Sequence, residues 1–234
     1  MSTTRRARQK VTATADLVIL TIRDGELAVL LVERANDPFA GELALPGGFL
    51  RGRESLLDTA RRELEEETGL DSSSFHLRQV GVYSAPDRDP RDPRVITCAY
   101  LAIAPDLPMP TAGSDAKAAR WSSVAEAQRV GLAFDHDEIL RDAVDLARVE
   151  VQFTTVATAF CDAEFTIGDL RAVYEVVWGV DLDKPNFHRK VTDAAGFIVP
   201  TGGKRPTVNG RPAALYRSGP ADVLLPPMMR PRTA

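Results

Sequence analysis

The stretch GGFLRGRESLLDTARRELEEETGL, residues 47–70, decides how this chain is read. Its second half runs without a helix breaker from Ser55 to Thr68 and meets Gly69, a residue suited to the left-handed conformation that ends helices. In the helix so expected, Glu63, Glu66 and Glu67 lie three and four residues apart and share one face. Like charges so placed repel, and something must offset them. The residues alone leave two answers open. Either Arg53, Arg61 and Arg62 pair the acids on a solvated face, or a hard divalent ion such as Mg²⁺ takes their oxygens. The glycines of PGGF, just upstream, let backbone approach a ligand closely.

Outward from this stretch, ATADLVILTI and LAVLLVER read as two strands joined by a turn at Arg23, Asp24, Gly25 and Glu26, with the Asp-Gly pair that hairpins favour. Further strands are expected over 77–84 and 95–103, separated by the proline-broken loop APDRDPRDPR. The pattern weakens over 115–130. A second long helix follows in FDHDEILRDAVDLARVE, with Asp135 as N-cap and Glu138 completing a capping box. Strands mixed with two long helices, ending near 150, suggest an α+β or α/β domain with a mixed sheet covered on both sides.

Composition bounds the rest. The 234 residues are 44% hydrophobic and 26% charged, an ordinary globular balance with length enough for two domains. No apolar run reaches the roughly 18 residues of a spanning helix. MSTTRRARQK is charged like the start of a signal peptide but lacks the apolar segment that must follow, so the expected location is cytoplasmic. Cys98 and Cys161 sit in apolar segments without partners at metal-ligand spacing, which suggests reduced core residues and no zinc. The net charge of -4 hides an asymmetry: residues 1–150 carry 19 basic against 25 acidic side chains, and 151–234 carry 10 against 8. Within 184–217 there are seven basic residues and one acid, Asp193, a basic patch on an acidic chain.

The last third changes character. FTIGDLRAVYEVVWG opens with Thr166 as N-cap and Asp169 three residues on. Ile167, Leu170, Val173, Tyr174 and Val177 form an apolar stripe, and Gly179 is a stop. A second helix is expected from Asp183, with Pro185 in its first turn, to Gly196. Phe187, Val191 and Ala194 face one way on it, and Asn186, Arg189, Lys190 and Asp193 the other. FIVPTGGKRPTVNGRPAALYR then reads as a hairpin whose joining loop holds Gly202, Gly203, Lys204, Arg205 and Gly210. Helix, basic helix and basic hairpin is the order of a winged helix-turn-helix, in which the second helix enters the major groove. A helical dimerisation appendage is the competing reading. The expected organisation is a flexible basic tail over 1–11, domains over 12–150 and 151–218, and a loosely attached proline-rich tail over 219–234.

Gly48, Glu54, Arg62-Glu63-Leu64, Glu66-Glu67 and Gly69-Leu70 match the Nudix box at every fixed position, a coincidence below about one in a million per chain at average residue usage. The chain therefore resembles the Nudix family, which implies the Nudix fold for roughly 12–150. The resemblance implies Glu63, Glu66 and Glu67 as ligands of Mg²⁺ or Mn²⁺, with Glu54 and Arg62 bracing the loop and helix. It also implies a nucleoside diphosphate ligand against Gly47, Gly48 and Phe49. Pro86, sixteen residues past Leu70, and YSAPDRDPR resemble the ADP-ribose pyrophosphatases of the family, with Arg88 placed to meet a phosphate. No catalytic base is assigned among Asp87, Asp89, Asp92 and Glu126.

Both halves together resemble the Nudix-related transcriptional regulators of NAD metabolism, as LAFDHDEIL, FTIGDLRAVYEVVWGVDLDKPNFHRKV and GRPAALYR indicate. That resemblance implies a homodimeric repressor on double-stranded operator DNA, with ADP-ribose as effector. Asn186, His188, Arg189 and Lys190 then face DNA, Lys184 its phosphates, and Lys204 and Arg205 form the wing. Many such regulators have decayed boxes, but this one is complete. A Mg²⁺-dependent ADP-ribose pyrophosphatase giving AMP and ribose 5-phosphate is therefore the alternative, and a non-enzymatic scaffold is a third reading.

Overall fold

The structure, a computed structural model, describes residues 9–72, 75–105, 107, 116–207 and 210–231. Most of the expected basic tail, residues 1–8, lies outside these. The order is β1 (Val11–Arg23), β2 (Glu26–Arg34), β3 (Leu43–Ala44), β4 (Gly47–Phe49), α1 (Leu56–Thr68), β5 (His76–Tyr83), β6 (Arg94–Ile103), β7 (Ala116–Ser123), α2 (Val124–Val130) and α3 (His136–Phe153). A 3-10 turn (Thr155–Phe160), α4 (Ile167–Trp178), α5 (Lys184–Asp193), β8 (Ile198–Thr207) and β9 (Gly210–Ser218) follow.

β1 is the spine of a mixed sheet. It pairs antiparallel with β2 and with the short β4, and in parallel with β6, which carries β5 on its far side. β3 and β7 extend the sheet from β2. Eight consecutive β1 residues, 14–21, are buried, because helices cover both faces. The period of two sorts them. Ala15, Leu17 and Ile19 pack with Ala60 and Leu64 of α1, while Val18 and Leu20 pack with Ile139, Leu140 and Ala143 of α3.

The second core does not stop at the sheet. Through Val144, Ala147 and Val151 of α3 it continues into Val173, Tyr174, Val177 and Trp178 of α4, then Phe187 and Val191 of α5 and Phe197. The position read as a domain boundary, 150, falls inside α3, which runs on to Phe153. The α4 stripe is buried as its spacing requires, Thr166 and Asp169 form the expected capping box, and Gly179 adopts the left-handed conformation. α5 begins as expected, capped by Asp183, but ends at Asp193 rather than near Gly196.

PGGF, read from the sequence only as a glycine-rich approach to the helix, contributes Gly47–Phe49 as β4 on β1. Three expectations need correction. Asp135 stands at the N-cap of α3 but makes no capping hydrogen bond, because its carboxylate is taken by Arg88. The hairpin's joining loop is much shorter than expected. Gly202, Gly203, Lys204 and Arg205 belong to β8 and Gly210 to β9, and the residues between the strands, 208 and 209, lie outside the described residues.

The proline-rich tail is not loose either. Its amides donate to the carbonyls that end α3, Leu224 N to Phe153 O at 2.8 Å and Met228 N to Gln152 O at 2.9 Å, and Leu224 and Met228 are buried. Helix-end carbonyls have no partner within their own helix, so an extended strap satisfies them without any periodicity of its own. Among the described residues no helix is long and apolar enough to cross a membrane.

If the strap is part of the core, Leu224→Ala should lower unfolding free energy by about 2–5 kcal/mol in chemical denaturation. A loosely attached tail predicts no change.

Candidate functional site

A cleft of about 310 Å³ opens where β1, β4, α1 and the segment leading into α3 meet. One wall is the glutamate helix. Ser55 and Asp58 cap its start reciprocally, and Gly69 closes it in the left-handed conformation. Gly48 lies so close to the helix that a Cβ built on it would sit 1.8 Å from Glu63 Oε1. A side chain at 48 would therefore displace the glutamate.

The arginines and acids of this helix interlock. Arg62 donates through Nε and Nη2 to the two carboxylate oxygens of Glu54, at 2.8 and 3.1 Å, and through Nη2 to Phe49 O at 3.1 Å. This bidentate pairing holds the Glu54 carboxyl down at about 2, the Arg62 hydrogen bond being the main cause. Arg62 Nη1 also contacts Glu63 and, at 3.4 Å, Glu66, which accepts from Arg51 at 3.0 Å as well. Glu67 differs. It is buried, and among the described residues no arginine pairs with it and its Oε2 has no partner. Burial first, then the charges of Glu63 and Glu66, push its carboxyl up to about 7. Burial likewise raises Glu63.

These residues fit a hard cation in donor chemistry, and the orphaned Glu67 oxygen is where its ligation would begin. As the side chains stand, no group of three converges tightly enough to hold an ion among the described residues. Arginines take one oxygen, Oε1, of Glu63 and the same oxygen of Glu66.

The opposite wall brings together Arg88, expected at a phosphate, with residues of β1 and of the stretch LAFDHDEIL. Arg88 lines the cleft but is buried and already committed: its Nε and Nη2 donate to Asp135 at 2.7 Å each, and Nη2 lies 3.4 Å from Asp16. Burial is the largest influence on Asp16 and opposes its charge, yet His136, Arg88 and Thr97 together hold its carboxyl below the ordinary range. His136 Nδ1 accepts from Leu45 N at 2.9 Å, so the proton belongs on Nε2, which faces Asp16 at 3.6 Å. Phe134, with φ of 60°, lies against Arg34 at 4.6 Å, and Arg91 stacks between Phe49 and Phe134.

Gly47, Gly48, Phe49, Glu63, Glu66, Glu67 and Arg88 are all brought to this cleft, with Glu54 and Arg62 immediately behind it. Of the four carboxylates left open as a base, only Asp89 lines it, and Arg91 holds that one at 2.9 and 3.0 Å. Asp87 and Asp92 line a separate shallow surface, and Glu126 is paired with Arg129 on α2. Phe134 and His136 lie inside LAFDHDEIL, but that stretch reads only as a helix start, a pattern that does not say which distant strands the residues around it face.

The second candidate surface is α5 with the wing. Phe187 and Val191 are buried beneath it, whereas Lys184, Asn186, His188 and Arg189 are exposed and Lys190 is half-buried. Asn186 Oδ1 accepts from Arg189 Nη2 at 2.9 Å, which orients the guanidinium along the outer face. Lys204 is exposed on β8. Its neighbour Arg205 is tied down, donating to Asp169 at 2.7 Å and to Glu164 O at 3.2 Å, so it fastens the wing to the start of α4.

Glu67 makes the cleft pH-dependent. With its carboxyl at about 7 when folded and near 4.5 otherwise, the stability owed to its proton is present below 4.5 and lost as pH rises through about 7. A cation that replaces the proton restores it. Mg²⁺ should therefore raise the melting temperature more at about pH 8 than at about pH 6, and Glu67→Gln should remove that difference.

Comparison with known proteins agrees with this geometry. The NUDIX domain model matches residues 12–143, and the NrtR DNA-binding winged helix domain model matches 157–218. An "ADPR responsive transcriptional repressor NtrR" of Acinetobacter baylyi is 31% identical over 206 residues, covering 87% of this chain and 80% of that protein. NrtR of Shewanella oneidensis, solved with a 27mer DNA, superposes with a TM-score of 0.77 at 31% identity over 89% of this chain and 94% of that one. The NUDIX domain of the same protein, solved with ADP ribose, gives 0.55 at 30% identity over 61% of this chain and 92% of that one. With a Nudix cleft built on the glutamate helix and a winged helix on the same core, this chain belongs to the Nudix family and, within it, to the NrtR-type proteins.

Proposed function

We propose that this chain is a transcriptional repressor of NAD-metabolism genes that binds double-stranded operator DNA and releases it when ADP-ribose, or a related NAD-derived nucleotide, occupies the Nudix cleft. The observation that carries the reading is the union, in one chain, of that cleft with an α5 whose apolar face is buried and whose basic face is open. In this reading Asn186, His188, Arg189 and Lys190 meet the major groove, Lys184 and Lys204 meet phosphates, and Arg205 serves the wing by holding it in place.

Gel-shift titration on a duplex from the protein's own upstream region tests it. Sequence-preferring binding that ADP-ribose weakens is expected. Indifference to ADP-ribose, or no preference among sequences at moderate salt, removes it. Arg189→Ala should cost about 1–3 kcal/mol of operator binding and leave ADP-ribose binding intact. Lys204→Ala should lower the salt slope by about one unit. Arg205→Ala should instead lower the melting temperature with little change in slope.

A homodimer belongs to this proposal, since two recognition helices read a palindromic site. Val149 and Phe153 of α3, with Val223, Leu225 and Met229 of the strap, expose apolar surface that a second copy would bury. Sedimentation of the free protein as a monomer at micromolar concentration would count against it. The cytoplasm is the location such a role requires.

The cleft's charge supports a bound cation. Asp16, Asp37, Glu63, Glu66, Glu67 and Asp89 outnumber Arg34, Arg51, Arg88 and Arg91 around it, so a diphosphate enters an acidic site. Mg²⁺ or Mn²⁺ held by Glu63, Glu66 and Glu67 would offset that charge and supply an activated water.

The complete box and the orphaned Glu67 oxygen favour a second reading, hydrolysis of ADP-ribose to AMP and ribose 5-phosphate. Incubation with ADP-ribose and Mg²⁺ should then release AMP, and Glu67→Gln should abolish the release. An inert wild-type protein would leave only the regulatory role.

A further inference from the structure

Among the described residues none that lines the Nudix cleft lies beyond His136, whereas the candidate DNA-contacting residues all lie past 183. A ligand confined to that lining meets only the Nudix half, and its effect on DNA binding then travels through an element anchored at both ends. Only a ligand that favours one arrangement of such an element can shift DNA binding.

α3 is that element. Its 18 residues span about 27 Å. At its start, three consecutive residues serve the cleft. Phe134 and His136 line it, and Asp135, which does not, grips the cleft residue Arg88 from behind with both oxygens. The grip is made at the expense of the helix. Asp135 stands where a cap is wanted, with φ of -96° and ψ of 20°, and its carboxylate caps nothing.

At its far end α3 is bonded to the winged helix. Trp178 Nε1 donates to Arg148 O at 3.1 Å, and Arg148 Nε returns a bond to Val177 O at 3.2 Å. Trp178 meets Tyr174 edge-on at 4.8 Å, and Tyr174 meets Phe187 of α5 at 5.3 Å. The path from Asp135 to the recognition helix is thus one helix and three packed rings.

We propose that the Arg88–Asp135 ion pair is the contact through which cleft occupancy reaches the DNA-binding helix, with Asp135 as the positioning residue. The inference rests on the regulatory reading above. A diphosphate draws Arg88 toward its own charge and loosens the hold on Asp135. The start of α3 is then free to resettle with Asp135 as an ordinary cap, and the far end carries α5 with it. Among the described residues Arg88 Nη1 makes no hydrogen bond, so the guanidinium has a donor to offer the ligand before the pair breaks.

Asp135→Asn tests this, because it keeps the volume, removes the charge and leaves a good capping residue. ADP-ribose and operator affinities are measured separately by calorimetry and gel shift, with chromatography confirming that the nucleotide stays intact. In the wild type ADP-ribose should weaken operator binding by ~5- to 150-fold, and in D135N by no more than about twofold. The variant should bind ADP-ribose as tightly as the wild type or more tightly, which a merely structural role for Asp135 does not produce.

A wild type whose operator affinity ignores ADP-ribose overturns the regulatory reading and this inference together. A responsive wild type with an equally responsive D135N overturns this inference alone. Should D135N fail to fold, amide exchange in the wild type decides: ADP-ribose should slow exchange at 137 and 138, the amides from which a capping Asp135 accepts, and unchanged or faster exchange there overturns the proposal.

Discussion

The whole molecule depends on the burial of α3. Its apolar residues have to satisfy two partners, the β1–β6 face of the sheet through Ile139, Leu140 and Ala143, and α4 through Val144, Ala147 and Val151. A helix held by only one of these would leave the other half with an open core. This makes the Nudix fold and the winged helix one hydrophobic body, and it explains why the strap after β9 returns to the end of α3. There it covers carbonyls and apolar surface that neither half closes alone.

The glutamate helix answers the question its sequence poses in two parts. Arginines do offset the acids, but selectively. Arg62 is spent on Glu54 and braces the glycine strand through Phe49 O, and what remains of it reaches Glu63 and Glu66. Among the described residues Glu67 has no positive partner in a buried setting, where a bare carboxylate is costly. A proton or a cation must neutralise it, so the spacing that looked redundant on paper divides the acids into scaffold and unfilled ligand.

Much of this was legible in the chain itself. The box spacing, the Gly69 stop of α1, the capped α4 and the Asp-Gly turn between β1 and β2 are local patterns, and local hydrogen bonding and burial produce them. What was illegible involved competition from distant residues. Asp135 with Glu138 spells a capping box, but Arg88, 47 residues earlier, outbids the helix amides for the carboxylate. Arg205 reads as a wing cation until Asp169 claims it. β3, β4 and β7 are short or weakly patterned because their neighbours in the sheet, rather than their own composition, hold them. The strap lacks period because it pairs with a helix end.

These failures share a physical meaning. A capping residue diverted to an arginine, and a cation diverted from a groove to a helix start, are places where local preference gives way to a long-range contact. The two differ in what the diversion accomplishes. The Arg205 tie joins two elements of the winged helix and fixes a shape. The Arg88 tie joins a ligand cleft to the helix that carries the DNA-binding half, and its two carboxylate partners come from β1 and from the start of α3. An anion entering beside Arg88 changes the balance among three negative groups around one positive charge. Of those three, the ligand fixes the phosphate, the sheet with His136 and Thr97 keeps Asp16 in place, and Asp135 has the first amides of α3 as an alternative to Arg88.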